Sequence, residues 1–183
     1  MLDIIINAVF EIGYIGFFCY MVVVGTFVPL PTQLILLPAG YLASQGKFDM
    51  GMIVIVTAMG TTTGALINYH LAHFIAKRFI ATSKTEKLKS FFSKYGKLSV
   101  FLAPLSFGLG QYISIPAGIA KMKLKWFIPL ILLSNAIWNI AMLSLGYMFG
   151  EDANTQAIYL VGGGAILMIV VISVFVYKEF QSY

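Results

Sequence analysis

The sequence predicts an all-α membrane protein with about four transmembrane helices and two opposed re-entrant helical hairpins, related as inverted repeats. Three observations lead there. Of 183 residues, 60% are hydrophobic and only 10% charged, the composition of a chain that lives in a bilayer. Charge-free runs cover residues 12–46, 50–76, 98–120, 126–150 and 153–177. The octapeptide QLILLPAG at 33–40 recurs as QYISIPAG at 111–118, with five of eight positions identical. At about 20 residues per span, these runs leave no soluble domain, and residues 1–183 read as one membrane domain.

Run 12–46 is too long for one straight span. A spanning helix over about 12–26 is followed by a re-entrant hairpin over 27–46, with Pro29, Pro31 and Pro38 breaking it and Gly40 closing the repeat motif. Each proline removes a backbone donor and clashes with the preceding turn. Run 50–76 forms the second span and ends at the basic segment 77–97. Within that segment, 82–95 sets Leu88, Phe91 and Phe92 against several lysines, which suits an amphipathic helix lying on the membrane surface.

Run 98–120 is long enough to span. If it did, the basic loops 77–97 and 121–125 would face opposite sides of the membrane, against the positive-inside rule. Pro104, Gly108, Gly110, Pro116 and Gly118 would also cut a straight helix repeatedly. The run therefore reads as a second hairpin, entered from the cytoplasm and turning near Gly108 and Gly110. Such backbone is tolerated at membrane depth only against protein or a watery cavity. Run 126–150 leads outward to Glu151 and Asp152, and 153–177 returns as the final transmembrane helix. Loops 77–97 and 121–125 and both termini are then cytoplasmic in a multi-pass cell-membrane protein.

The net charge of +5 does not point to nucleic acid, because the lysines lie between apolar runs without interleaved aromatics to stack on bases. Asp3 and Glu11 stand where a signal peptide has its basic start. The single Cys19 reads as a packing residue. His70 and His73 share a helix face, but no cysteine or carboxylate cluster accompanies them, so neither a metal nor a cofactor is expected. No nucleophile elbow, His-Glu-x-x-His motif or phosphate-binding glycine loop occurs. No catalytic residue is assigned and no enzyme is expected.

A polar group in hydrocarbon must face protein, water or ligand. Gln33 and Gln111 hold equivalent places in the two repeats. Either they face each other at the hairpin tips and receive a polar substrate, or they satisfy carbonyls freed by the prolines. Asn68 shares a helix face with Gly60 and Gly64. It either glues helices or lines the cavity, and the small-xxx-small pair suits internal packing or a homo-oligomer. Asn135 and Asn139 share a face beside Trp138, where hydrogen bonding between helices is the default. Gln33, Gln111, Asn68, Asn135 and Asn139 are the candidate substrate-binding residues.

FVPLPTQLILLPAGYLASQG at 27–46 resembles the signature hairpin of the DedA family, also called the VTT or SNARE-associated domain. GALINY at 64–69 and YISIPAGIAKM at 112–122, followed by Phe127, resemble its later blocks. The resemblance covers roughly residues 10–150. It implies a small multi-pass protein with two opposed re-entrant hairpins that moves lipids between leaflets. Substrates in the family include undecaprenyl phosphate and phosphatidylethanolamine, with broad phospholipid scrambling by eukaryotic relatives. Where many bacterial members carry acids, this chain has Val24 or a neighbour, and Gln33. Where they carry two arginines, it has Pro104 and Gly110. The resemblance thus implies lipid translocation with membrane lipids as partners, and the neutral set implies passive or weakly coupled movement of a zwitterionic headgroup. A small-solute transporter and a non-transporting scaffold are the alternatives.

Overall fold

The computed structural model describes residues 2–26, 28, 30–79, 82–105 and 110–149. Pro29, Gly108 and the final helix expected over 153–177 lie outside the described residues. So do the side chains of Gln111, His73 and 82–89. Seven α-helices follow one another: α1 (Leu2–Ile12), α2 (Tyr14–Gly25), α3 (Gln33–Ser44), α4 (Met50–Phe79), α5 (Thr82–Leu102), α6 (Ser114–Ile119) and α7 (Leu124–Phe149). Two 3-10 turns, Ala103–Leu105 and Gly110–Ile113, lie between α5 and α6. No strand occurs among the described residues.

Two of these helices are long and apolar enough to cross a membrane, over Met50–Ala72 and Leu124–Met148. The helix expected over about 12–26 is shorter. α2 has 12 residues, about 18 Å of rise against a hydrocarbon core of about 30 Å. Gly13 is the physical reason: its φ of 72° ends α1 and starts α2, a conformation open to glycine. α1 then folds against α2 so closely that a side chain on Gly16 would meet the Val9 backbone. Phe10, Tyr14, Phe17 and Phe48 pack edge to face around this turn, with Tyr14 and Phe17 ring centroids 5.6 and 5.2 Å from that of Phe48.

α5 also differs from the sequence reading. It runs unbroken from Thr82 to Leu102, joining the segment 82–95 to the beginning of 98–120. Gly96 fails to interrupt it, and the helix gives way only around Pro104, in the first 3-10 turn.

The long helices α4 and α7 are antiparallel. Asn139 of α7 bonds Thr57 of α4, and Phe127 stacks on Tyr69 with ring centroids 5.1 Å apart. The short helices cross over between halves. α3, from the first repeat, packs on α7; α6, from the second, packs on α4. At each crossing the glycine of the Pro-Ala-Gly motif is the contact point. A Cβ on Gly40 would collide with the Leu143 carbonyl, and one on Gly118 with the Tyr69 carbonyl. Tyr69 and Leu143 are themselves equivalent, each the twentieth residue of its helix counted from Met50 and Leu124. The α3–α7 contact is closed from both sides, because Gly146 lies equally tight on Leu37.

Both short helices end alike. Gly46 with φ 75° and Lys121 with φ 57° follow the last turns. The amides of Lys47 and Met122 reach back to the carbonyls of Leu42 and Ala117, each at 3.0 Å, the Schellman arrangement. α3 has 12 residues and α6 only six. Between Pro-Ala-Gly and the left-handed residue, the first copy is three residues longer, nearly one turn.

Two hydrophobic cores result. One gathers Phe17, Met21, Ile35, Leu36, Ile53 and Leu143 at the α3 end. The other gathers Tyr69, Val100, Ala117, Phe127 and Ile131 at the α6 end. Gly60 and Gly64 serve this interior: Gly60 abuts Phe18 and Met21, and Gly64 abuts Val22 and Gly25, all on α2.

Substituting valine at Gly40 or Gly118 forces two helices apart and should lower stability by about 1–3 kcal/mol or more. Gly46→Ala, with open space around it, should cost only about 1 kcal/mol for its positive φ. Thermal unfolding of the detergent-solubilised variants, followed by loss of the monodisperse peak, checks the ranking.

Candidate substrate path

Several helices stop inside an apolar chain, and each stop frees carbonyls that need donors. α2 ends at Gly25, whose carbonyl accepts from Asn68 Nδ2 at 3.3 Å. α5 ends near Phe101, whose carbonyl accepts from the Ser134 hydroxyl. Pro31, at the approach to α3, has its carbonyl bonded by the Tyr20 hydroxyl at 3.1 Å. Met122, beyond α6, has its carbonyl bonded by the Tyr69 hydroxyl at 2.6 Å. In both halves, side chains of flanking helices replace the water that hydrocarbon withholds. Among the described residues no buried side-chain nitrogen or oxygen lacks a partner.

A polar belt separates the two hydrophobic cores. Thr57, Thr61, Thr62, Asn68, Ser134 and Asn139 are buried. The threonine hydroxyls bond carbonyls one turn back on α4, Thr57 to Ile53 at 2.6 Å and Thr61 to Thr57 at 2.9 Å. Thr57 also accepts from Asn139 Nδ2 at 2.9 Å. Asn139 is 1% exposed and Asn68 3%. Both amides therefore hold helices together in this conformation.

Gln33 sits differently. It opens α3 and is half-buried. Its Oε1 accepts from Thr32 Oγ1 at 3.4 Å, and that hydroxyl accepts in turn from Trp138 Nε1 on α7 at 3.4 Å. Among the described residues, no hydrogen bond engages Gln33 Nε2. A two-hydrogen donor is thus presented at the start of a helix flanked by α2 and α7. Asn135, one turn before Asn139 on α7, is half-buried, and no described hydrogen bond engages its amide. The structure brings Gln33, Thr32 and Trp138 together, and joins Asn139 to Thr57. The expected pairing of Gln33 with Gln111 involves a side chain outside the described set.

Sequence reasoning missed Thr57, Ser134, Tyr20 and Tyr69. Thr57 and Thr61 do repeat at i, i+4 on an apolar helix, a readable signal. Ser134 and the tyrosines carry none, because their partners are backbone carbonyls, 11 residues away for Tyr20 and 33 and 53 for Ser134 and Tyr69, placed by tertiary packing. A groove of about 460 Å³ also runs along the outer face of α4, lined by Thr63, Leu66, Ile67, His70, Leu71 and Phe74. His70 Nδ1 is bonded to its own helix, 2.8 Å from the Leu66 carbonyl. Among the described residues no group of three or more His, Cys, Asp or Glu converges.

Apolar helices, broken twice by proline and knit by a polar belt, define an all-helical integral membrane protein. The chain belongs to the VTT domain family, whose model matches residues 28–148; this is the DedA family that the hairpin motifs resemble. A protein of Lactococcus lactis subsp. lactis named alkaline phosphatase-like protein is 28% identical, covering 98% of this chain and 94% of that one. A namesake in Lactococcus lactis subsp. cremoris is 30% identical, over 83% of this chain and 78% of its own length. Undecaprenyl phosphate transporter A of Staphylococcus aureus is 26% identical, over 97% and 94%. No solved structure matches the chain significantly.

Removing the link between Asn139 and Thr57 should loosen α4 from α7. Thr57→Val and Asn139→Leu should each destabilise by about 0.6–1.7 kcal/mol, the range for such bonds in membranes. The double variant should cost less than the two losses added together. Unfolding titrations in mixed micelles, arranged as a double-mutant cycle, measure the coupling.

Proposed function

We propose that this chain is a membrane lipid translocase that moves a polar headgroup along an amide-lined crevice between two re-entrant hairpins. The acyl or prenyl tail stays in the bilayer. The observation that carries this reading is Gln33, whose amide nitrogen has no hydrogen-bond partner among the described residues and stands at the head of α3, a helix that runs unbroken through Pro38, contrary to the break expected there. Its hydrogens suit the oxygens of a phosphate-bearing headgroup. Gln111, its counterpart in the second repeat, and Asn135 extend the path. Asn68 and Asn139 shape the path by holding its walls.

The substrate class follows from similarity. Relatives in Staphylococcus aureus and Bacillus subtilis are named undecaprenyl phosphate transporters, which favours a lipid carrier or phospholipid with a phosphate. The basic ends of the helices, 77–97 and 121–125, then face the cytoplasm, and the hairpins enter from opposite sides. Without a carboxylate at position 33, movement is passive or only weakly coupled to protons. A phosphatase reading is suggested only by the names of the two Lactococcus relatives.

Purified protein in liposomes should accelerate flip of a fluorescent phospholipid or a polyprenyl phosphate over empty vesicles. Gln33→Leu should slow it about tenfold, the worth of one hydrogen bond in the barrier. Equal rates with and without protein, across several lipid classes, would sink the translocase reading. Solute flux without lipid flip supports the solute transporter, and release of phosphate from a phosphomonoester supports the phosphatase. Strict dependence on a proton gradient removes the uncoupled part alone.

A further inference from the structure

Among the described side chains, acids and most lysines occupy opposite ends of the long helices, with Lys47 the exception. Among the described side chains the acids are Glu11 and Asp49, both beside the aromatic turn at the α1–α2 end. Asp49 starts α4, accepting from the Met52 amide at 2.8 Å. The equivalent residue one repeat later, just before α7, is Lys123, and no acid occupies the first turn of α7. The antiparallel register of α4 and α7 puts Leu124, the first residue of α7, beside residue 72 of α4. That is about 33 Å of helix from the Asp49 end.

At this second end, lysines from two helices converge on one ring. Lys97 of α5 places Nζ 3.8 Å from the Trp126 centroid. Lys125 of α7 places its own at 6.0 Å. Trp126 is 44% exposed, and Lys97, Lys121, Lys123 and Lys125 are not ion-paired among the described residues. Two ammonium groups held against one indole repel each other and want an anion between them. Indole and lysine stems both favour the headgroup level of a bilayer.

We propose that the Lys97–Trp126–Lys125 face is a docking site for the headgroup of an anionic phospholipid in the adjoining leaflet. It is distinct from the path around Gln33 and needs only that the chain sit in a bilayer. The ring sets the depth, and the two ammonium groups, presented by different helices, clasp the phosphate. An occupied site draws the basic ends of α5 and α7 together, and so steadies the entry to the second hairpin.

The test uses the full chain in vesicles of dibrominated phosphatidylcholine. Trp138→Phe leaves Trp126 as the sole tryptophan of the two present, and bromine quenches it. Unbrominated phosphatidylglycerol should relieve quenching with about five-fold or greater preference over unbrominated phosphatidylcholine, the scale for a lysine at an anionic surface. Lys97→Gln with Lys125→Gln should bring the two curves together. Lys47→Gln, at the opposite end, should leave the preference intact. Coincident curves with both lysines present, or a preference untouched by the double variant, overturn the proposal. So does inorganic phosphate that abolishes the preference where sodium chloride of equal ionic strength does not, because the site then belongs to a soluble anion. This equilibrium reading requires no transport, so its failure and that of the translocase assay are separate results.

Discussion

A carbonyl released by a broken helix has no water to turn to in hydrocarbon, and the placement of Asn68, Ser134, Tyr20 and Tyr69 follows from that. Each takes a carbonyl at or beyond the end of a helix or turn. Their donors come from α2, α4 and α7, so each satisfied carbonyl also fixes where a short segment sits on its neighbours. The proline breaks and the polar residues of the other helices are thus one device. Without the breaks the donors would be costly buried groups, and without the donors the breaks could not stay inside.

The crossing of the short helices gives that device its rigidity. α3 rests on α7 and α6 on α4, each through a glycine that admits the opposing backbone. Neither half can therefore close its core alone. Ile53 and Phe127, equivalent by repeat, are both fully buried, but in different cores. Thr57 and Asn139 fasten the halves midway. Gln33 stands apart from this economy of satisfied groups, with an amide nitrogen that no described residue occupies.

The recurrence of Pro-Ala-Gly was legible in sequence, as were the helix class and the close packing at Gly60 and Gly64. These depend on composition and spacing, which survive folding unchanged. The break at Gly13 was not legible, because one glycine in an apolar run looks the same whether it bends the chain or not. Nor was the continuity of α5, where Gly96 sits in a helix whose neighbours hold it. Asn68 and Asn139 were visible as polar residues at membrane depth. Their partners were not, since Gly25 and Thr57 lie 43 and 82 residues away and are set by tertiary packing.

The three extra residues that follow Pro-Ala-Gly in the first copy have their own consequence. Two halves related by perfect inversion would make the molecule's two faces energetically degenerate, with conformations open to either side equally populated at rest. The extra turn of α3, capped at Gly46 rather than at a lysine, lifts that degeneracy. For the proposed translocase, a preference for one face is then built into the chain's own ground state, present before any gradient or substrate acts on it.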